Sequence, residues 1–429
     1  MVAKIKLQAP SGMHDILPED QSFYRKIYAV ANSVVQFYGF NKIDTPVVED
    51  AELFSKGIGL STDIIEKEIY AFRTKGGDFL ALRPEFTAGI VRAYIEHGMA
   101  NLPQPQKLYS YGPLFRMERP QAGRFRQFHQ IDLEVFGEQD SVIDAQIIQI
   151  FYNILKELKF KNLIVEINSI GDNLCRPYYK KLLVNYLRSR DSSLCSDCRR
   201  RLRYNPLRIL DCKEEKCQPI KAQAPQLVDH LCDPCKTHFK EVLEFLDEVG
   251  IPYRLNPYLV RGLDYYTKTV FEIYDDSEEG QRSGALVGGG RFDTLVKVLG
   301  GRDTPACGGA CGVERIVGTL KERVKQESET AISTQKVFLA QLSDLGKRKS
   351  LRLFEEFRKA KIQIAESFGK DSLKTQLRLA DKMSVEYALI LGQKEALEDA
   401  IIIRNMKTGE QETVKLDKVV KEMEKRLKK

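Results

Sequence analysis

The segment from Phe115 to Glu134 constrains the fold more tightly than any other stretch of this sequence. Phe115-Arg116-Met117-Glu118-Arg119-Pro120 is followed by Arg124, Arg126 and then Gln130-Ile131-Asp132-Leu133-Glu134. This reads as a strand, a basic loop and a second strand, which gathers several guanidinium groups and two carboxylates around one pocket. A guanidinium grips a phosphate through a planar, two-pronged fork, so the pattern suits a nucleotide held beside an amine-bearing substrate. An arginine cluster taken alone is more often a solvated face. The companion segments decide between the two readings.

A chain of 429 residues exceeds what one ordinary core organises, and two or three domains are expected. No run of eighteen apolar residues is present to span a bilayer, and the N-terminal stretch around Pro10 and Pro18 lacks the apolar core of a signal peptide. No membrane partner and a cytoplasmic address are therefore expected. The net charge of +7 is unevenly spread, with Arg199, Arg200, Arg201 and Arg203 in one cluster and lysines crowding the C-terminal part. Such patches permit a phosphate backbone as partner without requiring one.

Nine cysteines occur, six of them between positions 195 and 235. A reducing compartment disfavours structural disulfides, so paired cysteines point first to metal ligation or redox work. Cys195-x2-Cys198 and Cys232-x2-Cys235 have the spacing that lets both thiolates of a knuckle reach one tetrahedral ion. These four are the expected ligands of a structural zinc, with Cys212 and Cys217 as further candidates and free thiols or a labile disulfide as the alternative. Cys175, Cys307 and Cys311 read as buried small residues. His230 and His238, which flank the last pair, read as exposed.

Phe23, Ile27, Val30, Val34 and Phe37 fall at helical spacing before Gly39, and a strand follows through Ile43 to Pro46, Val47 and Val48. Residues 105 to 136 and 253 to 298 read as short strands of an antiparallel sheet. Between them, residues 174–250 change to helical stretches with the cysteines, the arginine cluster and Pro206, Pro219, Pro225 and Pro234, which suggests a domain inserted into the sheet domain. The low-apolarity run from Lys321 to Gln335 contains a linker, drawn at 326–335. Beyond it, Val337 to Ala340, Leu351 to Ala360, Ile362 to Ile364, Leu373 to Lys382 and Tyr387 to Leu391 alternate strand and helix, as a small open α/β domain does.

Phe115–Glu134 resembles motif 2 of the class II aminoacyl-tRNA synthetases, and Arg124-Phe125-Arg126-Gln127-Phe128-His129-Gln130 resembles the histidyl-tRNA synthetases among them. Three further segments are similar to that family: Leu82-Arg83-Pro84-Glu85 with Thr87, Val260-Arg261-Gly262-Leu263-Asp264-Tyr265-Tyr266-Thr267-Lys268-Thr269-Val270-Phe271-Glu272, and Val287-Gly288-Gly289-Gly290-Arg291-Phe292-Asp293. Gly39 to Pro46 resembles motif 1, which in the family forms a dimer interface, and Gly308 to Arg315 resembles motif 3. Ser372 to Lys382 is similar to the anticodon-binding domain of class IIa enzymes.

The resemblance implies an α+β fold: a class II antiparallel-sheet catalytic domain at 1–173 and 251–325, the inserted cysteine-rich domain at 174–250, and an α/β anticodon-binding domain at 336–429. It implies ATP-dependent activation of L-histidine to histidyl-adenylate and transfer to the 3′ end of tRNA(His), with ATP and Mg2+ required and the chain a homodimer. Arg261 and Arg116 would be catalytic, and Arg116, Arg124 and Arg315 would hold ATP. Glu85, Thr87, Gln130, Glu134, Arg261, Tyr265 and Tyr266 would hold histidine, and Arg119 and Gln121 would meet the tRNA acceptor end. Phe86 stands where the family usually has glycine, and Gly309 where a larger residue is common. Proximity of the two in space would let one change compensate the other. The family's non-catalytic regulatory paralogue lacks the C-terminal domain and tends to lose the ATP-binding arginines, both of which are present here.

Overall fold

Ile131, Leu133 and Val135 alternate with Gln130, Asp132 and Glu134 along the strand Gln127–Phe136, and the odd positions are buried in one apolar cluster. Successive side chains of a strand point to opposite faces, so the polar residues all stand on the other face, between Phe128 and Phe136. The computed structural model describes residues 7–59, 62, 64–118, 123–276, 284–327, 336–369 and 372–427. In it this strand lies inside an eight-stranded sheet ordered Asn41–Lys42, Gln106–Phe115, Gln127–Phe136, Ala306–Gly312, Val287–Arg291, Thr267–Asp275, Leu163–Ser169, Tyr253–Leu255. The inner strands pair antiparallel, and the short strands at the two edges pair parallel.

Four of the described helices cover the apolar face, among them Val313–Glu327 through Ile316, Val317 and Leu320. Gln21–Phe37 contributes Ile27, Ala31, Val34 and Val35, Val142–Glu157 contributes Ile147, Phe151 and Ile154, and Asp233–Glu248 contributes Phe239, Val242 and Leu246. Phe37, expected on the same stripe as Ile27, is instead 84% exposed, because the helix ends there and Gly39 (φ +78°) turns the chain toward the sheet edge. The opposite face packs against a second cluster that joins Tyr179, Leu183 and Leu187 of the helix Arg176–Arg188 to Tyr265, Tyr266 and Phe292. Residues 174–250, expected as an inserted domain, thus draw on both clusters of the sheet, and they fall within one compact unit, Met1–Gln326. The helix Val313–Glu327 occupies the beginning of the low-apolarity run, and residues 328–335 of the expected linker lie outside the described residues.

The second unit, Glu327–Lys429, holds a five-stranded sheet ordered Ile364–Glu366, Val337–Gln341, Tyr387–Leu391, Ala400–Asn405, Gln411–Lys415. Val337 and Leu339 face one cluster with Leu353 and Phe357, and Phe338 and Ala340 face another with Ala380, so both faces are covered. The helix expected from Leu351 begins earlier, at Asp344, because the Ser343 hydroxyl caps it by accepting the Gly346 N–H at 3.0 Å. The strand expected at Ile362 begins at Ile364, since Lys361 turns the chain with φ +58°. Among the described residues no helix is long and apolar enough to cross a membrane.

Arg291 is wholly buried in the first unit. Its guanidinium donates to Asp144 Oδ2 at 2.9 and 2.5 Å, to Asp293 Oδ1 at 3.2 Å, and to the carbonyls of Glu138 and Asp140 at 3.0 Å each. His238 Nε2 lies 3.3 Å from Asp144 Oδ1, so this histidine, expected exposed, is a buried member of the network, and His230 is half-buried. Burial alone would raise the Asp144 carboxyl, but Arg291 and His238 outweigh it and hold the group at about 2. Asp144→Ala is expected to destabilise the first unit by about 3–5 kcal/mol, because it strands a buried guanidinium. The folded pKa lies below the unfolded value, so this contribution is complete above about pH 4 and is lost as pH falls toward about 2. Denaturant unfolding of wild type and variant across that window should give curves that converge in acid.

Candidate active site

Glu85, Thr87, Asp132, Glu134 and Tyr265 meet on the polar face of the sheet. Glu85 precedes the helix Thr87–Glu96, and its carboxylate accepts the Thr87 and Ala88 N–H groups at 2.9 and 2.7 Å, which fixes both oxygens at a helix N-terminus. The Thr87 hydroxyl donates to Glu134 Oε1 at 2.5 Å, and the Tyr265 hydroxyl reaches Glu85 Oε2 at 3.3 Å. Glu134 Oε2 and Asp132 Oδ1 are buried without a hydrogen-bond partner. Burial first, and then the nearest like charge, Glu85 for Asp132 and Asp132 for Glu134, hold both carboxyls well above the usual carboxylate range, and burial raises Glu85 as well. Gly308, opposite Glu134 in register, leaves room for that carboxylate, since a Cβ there would collide with Glu134 Oε2. Gln130 continues the same polar face toward the basic edge.

Arg261 closes one side. It pairs with Glu272, whose other oxygen accepts the Tyr274 hydroxyl, and it lies 5.7 Å from the centroid of the Tyr266 ring. Burial opposes its charge, yet Glu272 and the tyrosines more than offset this and raise its pKa. Gly288 provides the space, because a Cβ there would overlap the Arg261 guanidinium. Gly288 is thus explained by an arginine laid against sheet backbone, whereas Gly289 and Gly290 are explained by close neighbouring backbone, where a Cβ would overlap the Gly308 and Thr269 carbonyls. Burial pushes the Tyr266 phenol up to about 12 against the pull of Arg261, so it remains a neutral hydrogen-bonding group at physiological pH. Tyr204, Leu207 and Arg208 of the cysteine-rich segment line, with Arg261, Asp264 and Tyr266, a cavity of about 230 Å3.

Three of the expected ATP ligands form the basic edge. Arg116 Nε donates to the Pro84 carbonyl at 2.9 Å, and its guanidinium stands 5.3 Å from the Phe128 ring centroid, which fixes it beside Glu85. Arg315 donates to the carbonyls of Gly123 at 3.4 Å and Ala285 at 2.5 Å. Burial and the neighbouring Arg124 both lower the pKa of Arg315, a clash of like charges that a bound anion relieves. Glu314 does not pair with Arg315; it accepts the His129 N–H at 2.8 and 2.9 Å and lies 2.8 Å from His129 Nδ1. Motif 3 is thereby clamped to motif 2. Arg119 and Gln121 lie outside the described residues.

The family model described as Histidyl-tRNA synthetase matches residues 12–316, and the one described as Anticodon binding domain matches residues 336–426. The chain belongs to the histidyl-tRNA synthetase family. It is 43% identical over 420 residues to a histidine–tRNA ligase of Dehalococcoides mccartyi, covering 98% of this chain and 100% of the relative. It is 45% identical over 415 residues to that of Aquifex aeolicus, covering 97% and 100%. The crystal structure of apo S. aureus histidyl-tRNA synthetase superposes with a TM-score of 0.78 at 33% identity, covering 97% of this chain and 99% of that one.

Against this family background the cysteines need a correction. Cys195, Cys198, Cys212 and Cys217 come together, buried, with all four Sγ atoms within 4.8 Å of one another. Cys232 and Cys235 do not join Cys195 and Cys198 as expected; they lie with Asp172 and Cys175 in a second group. The apolar stripe of the helix that carries Cys235 is committed to the sheet core through Phe239, Val242 and Leu246, and this fixes where its first turn can lie. Cys175 is buried as expected but is not merely packing, whereas Cys307 and Cys311 are wholly buried strand residues. Arg199, Arg200 and Arg201 each make a contact within the unit, with the Leu194 carbonyl, Glu66 and the Arg208 carbonyl, and Arg199 and Arg203 are exposed.

Asp132 is the pocket residue to which the sequence reading gave no role, although its alternation with Gln130 and Glu134 marks it. Two coupled buried carboxyls with raised pKa values work against the folded state: as pH rises above about 4 the unfolded chain ionises first, and folding stability falls until the folded carboxyls ionise too. Asp132→Asn should therefore raise the melting temperature at about pH 7.5 by at least ~2 °C and flatten its fall between about pH 5 and about pH 7.5. Thermal melts of both proteins at the two pH values check this.

Proposed function

We propose that the chain is a histidine–tRNA ligase that activates L-histidine with ATP to histidyl-adenylate and transfers the histidyl group to the 3′ end of tRNA(His), releasing AMP and pyrophosphate. The observation that carries the reading is the buried polar pocket of Glu85, Thr87, Asp132, Glu134, Tyr265 and Tyr266 with two partnerless carboxylate oxygens, walled by Arg261. A cationic, hydrogen-bond-donating ligand satisfies those oxygens. Histidine supplies an ammonium for Glu85, Thr87 and Gln130 and a ring N–H for Glu134, with the Tyr266 hydroxyl at the other side of the ring. Any amino acid without that ring leaves these buried groups unpaired, so discrimination needs no editing site.

In the activation step a carboxylate oxygen of histidine attacks the α-phosphorus of ATP, the bond to the pyrophosphate oxygen breaks, and the pyrophosphate departs. Arg116 and Arg261 neutralise charge on the α-phosphate, and Arg124 and Arg315 bind the outer phosphates, their mutual repulsion relieved by the anion. Mg2+, when bound with ATP, neutralises the leaving pyrophosphate. It takes hard oxygen ligands, and Glu118, the carboxylate beside Arg124, would be suited to it. A ribose hydroxyl of the tRNA terminus then attacks the histidyl carbonyl and AMP leaves. Catalysis rests on fixed cations and positioning, and none of the named side chains is required as a general base.

The second unit reads the anticodon, as its match to the anticodon-binding domain model supports, and Arg119 and Gln121 meet the acceptor end. Two chains pair through the Gly39 to Pro46 region, where exposed Phe37, Val47 and Val48 leave apolar surface to cover. The enzyme works in the cytoplasm. Zinc at Cys195, Cys198, Cys212 and Cys217 holds the cysteine-rich segment together: Cys195 and Cys212 Sγ lie 3.8 Å apart, the edge of a tetrahedron with Zn–S bonds of about 2.3 Å.

Exchange of labelled pyrophosphate into ATP, run with each of the standard amino acids and no tRNA, tests the reading: histidine alone should support it. Well-folded protein that exchanges with no amino acid would refute it. Arg261→Ala should lower kcat for exchange by at least ~100-fold while the histidine dissociation constant rises much less. Weaker histidine binding with kcat unchanged would assign Arg261 to substrate binding alone.

A further inference from the structure

Asp172, Cys175, Cys232 and Cys235 lie where the histidine pocket meets the cysteine-rich segment, and each brings one ligand atom to within 4.8 Å of the others. Asp172 follows the strand Leu163–Ser169, next to one edge of the sheet, and Cys175 precedes the helix Arg176–Arg188. Cys232 precedes the helix Asp233–Glu248, and Cys235 sits in its first turn. Cys175 Sγ is 3.6 Å and Cys232 Sγ 3.8 Å from Asp172 Oδ1. Around a tetrahedral zinc with Zn–S about 2.3 Å and Zn–O about 2.0 Å, a sulfur and an oxygen ligand are about 3.5 Å apart. The group therefore already has nearly the dimensions of a filled site.

Two helices of 13 and 16 residues point their N-termini at the group, and helix N-termini stabilise anions. The Asp172 N–H donates to Cys175 Sγ at 3.4 Å. Gly171 adopts φ +63°, and a Cβ there would lie 2.5 Å from Cys175 Sγ, so the turn that admits the sulfur requires glycine. Arg176, adjacent to Cys175, adds a positive charge next to the four anionic ligands.

We propose that Asp172, Cys175, Cys232 and Cys235 bind a second zinc ion, distinct from the four-cysteine site, which ties the end of the strand Leu163–Ser169 to the helix Asp233–Glu248 and so positions Arg176 under the histidine pocket. Arg176 Nη2 donates to the Tyr266 carbonyl at 2.7 Å and the Gly171 carbonyl at 2.8 Å, and its Nε to the Ile170 carbonyl at 3.2 Å. Lys268 N–H donates to the Gly171 carbonyl at 2.8 Å, and Ile170 N–H to the Lys268 carbonyl at 2.7 Å. The metal thus fixes the backbone on both sides of Tyr266 through one short turn. Arg176 is a positioning residue, and its effect on catalysis rests on the reading of Tyr266 as part of the histidine pocket; the existence of the site does not.

Metal analysis of the full-length protein purified with zinc tests the site. Wild type should hold about two zinc ions per chain, Cys232→Ser about one, and Cys198→Ser about one. X-ray absorption of the wild type needs no variant: the two groups together supply seven cysteines and one aspartate, so an oxygen ligand at about 2.0 Å should accompany sulfur at about 2.3 Å. One zinc per chain in an all-sulfur shell, retained in Cys232→Ser and lost in Cys198→Ser, would overturn the second site while leaving the first. Cys232 and Cys235 modified in the native protein without metal release would do the same. Where Cys232→Ser loses one zinc, the histidine KM in pyrophosphate exchange should rise roughly tenfold with kcat little changed. An unchanged KM would overturn the positioning role, and Asp172→Cys, which keeps four ligands, should retain both the zinc and the KM.

Discussion

The carboxylate of Glu134 lies flat against a strand that has no side chain beneath it, one oxygen taken by the Thr87 hydroxyl and the other left without a donor. A buried carboxylate in that state is unfavourable, and Asp132, two residues away on the same face, repels it further. Everything around it is arranged to keep the group in place. Ile131 and Leu133 anchor the strand from the far face, Gly308 lets the neighbouring strand run close, and the helix that supplies Thr87 is itself capped by Glu85. The unfavourable pocket is held by the same sheet that forms the core, so its geometry persists before any ligand arrives.

The cations are handled differently. Arg261, Arg116 and Arg315 are each tied to a carboxylate or a carbonyl, at Glu272, at Pro84, and at Gly123 and Ala285. A guanidinium has five donors, and these contacts use only some of them. The remaining donors are aimed without the entropy of a free side chain, which is how fixed positive charge stabilises a phosphate in a transition state at little reorganisation. Glu314 extends the scheme, since its hold on the His129 backbone and ring locks the helix carrying Arg315 to the strand carrying Gln130.

What the sequence made legible was governed by periodicity. Alternation along Gln127–Phe136 and the glycine runs at 287–290 and 308–309 specified strands laid close together, and the strand Tyr387–Leu391 and the helix Leu373–Lys382 fall where their patterns put them. The grouping of the cysteines was not legible, because spacing along a chain fixes which two thiols form a knuckle and not which knuckles share an ion. That depends on Phe239, Val242 and Leu246, whose burial in the sheet core carries Cys235 away from Cys195. His238 was misread for the same reason: it lies on that buried stripe, opposite Asp144, a partner 94 residues distant. Residues 174–250 contribute Tyr179, Leu183, Ile209 and Ile220 to one apolar cluster and Phe239, Val242 and Leu246 to the other, a division that composition does not reveal.

Phe86 and Gly309, the two departures from the family pattern, are separate adjustments. The Phe86 ring is buried beneath the Arg83 guanidinium, 4.5 Å from its centroid, and its edge approaches Gly112. Arg83 in turn donates to the Thr45 carbonyl at 2.7 Å and the Pro113 carbonyl at 3.0 Å, so the ring supports a bond that ties the motif 1 segment to the motif 2 strand. Gly309 stands on another part of the sheet, against Phe151 and Phe271, where a Cβ would come within 3.1 and 3.2 Å of their rings. Neither residue fills space vacated by the other. Phe86 points away from the carboxylates of Glu85 and Glu134 into the second apolar cluster, and its size is therefore felt in the packing behind the pocket and not in the pocket itself.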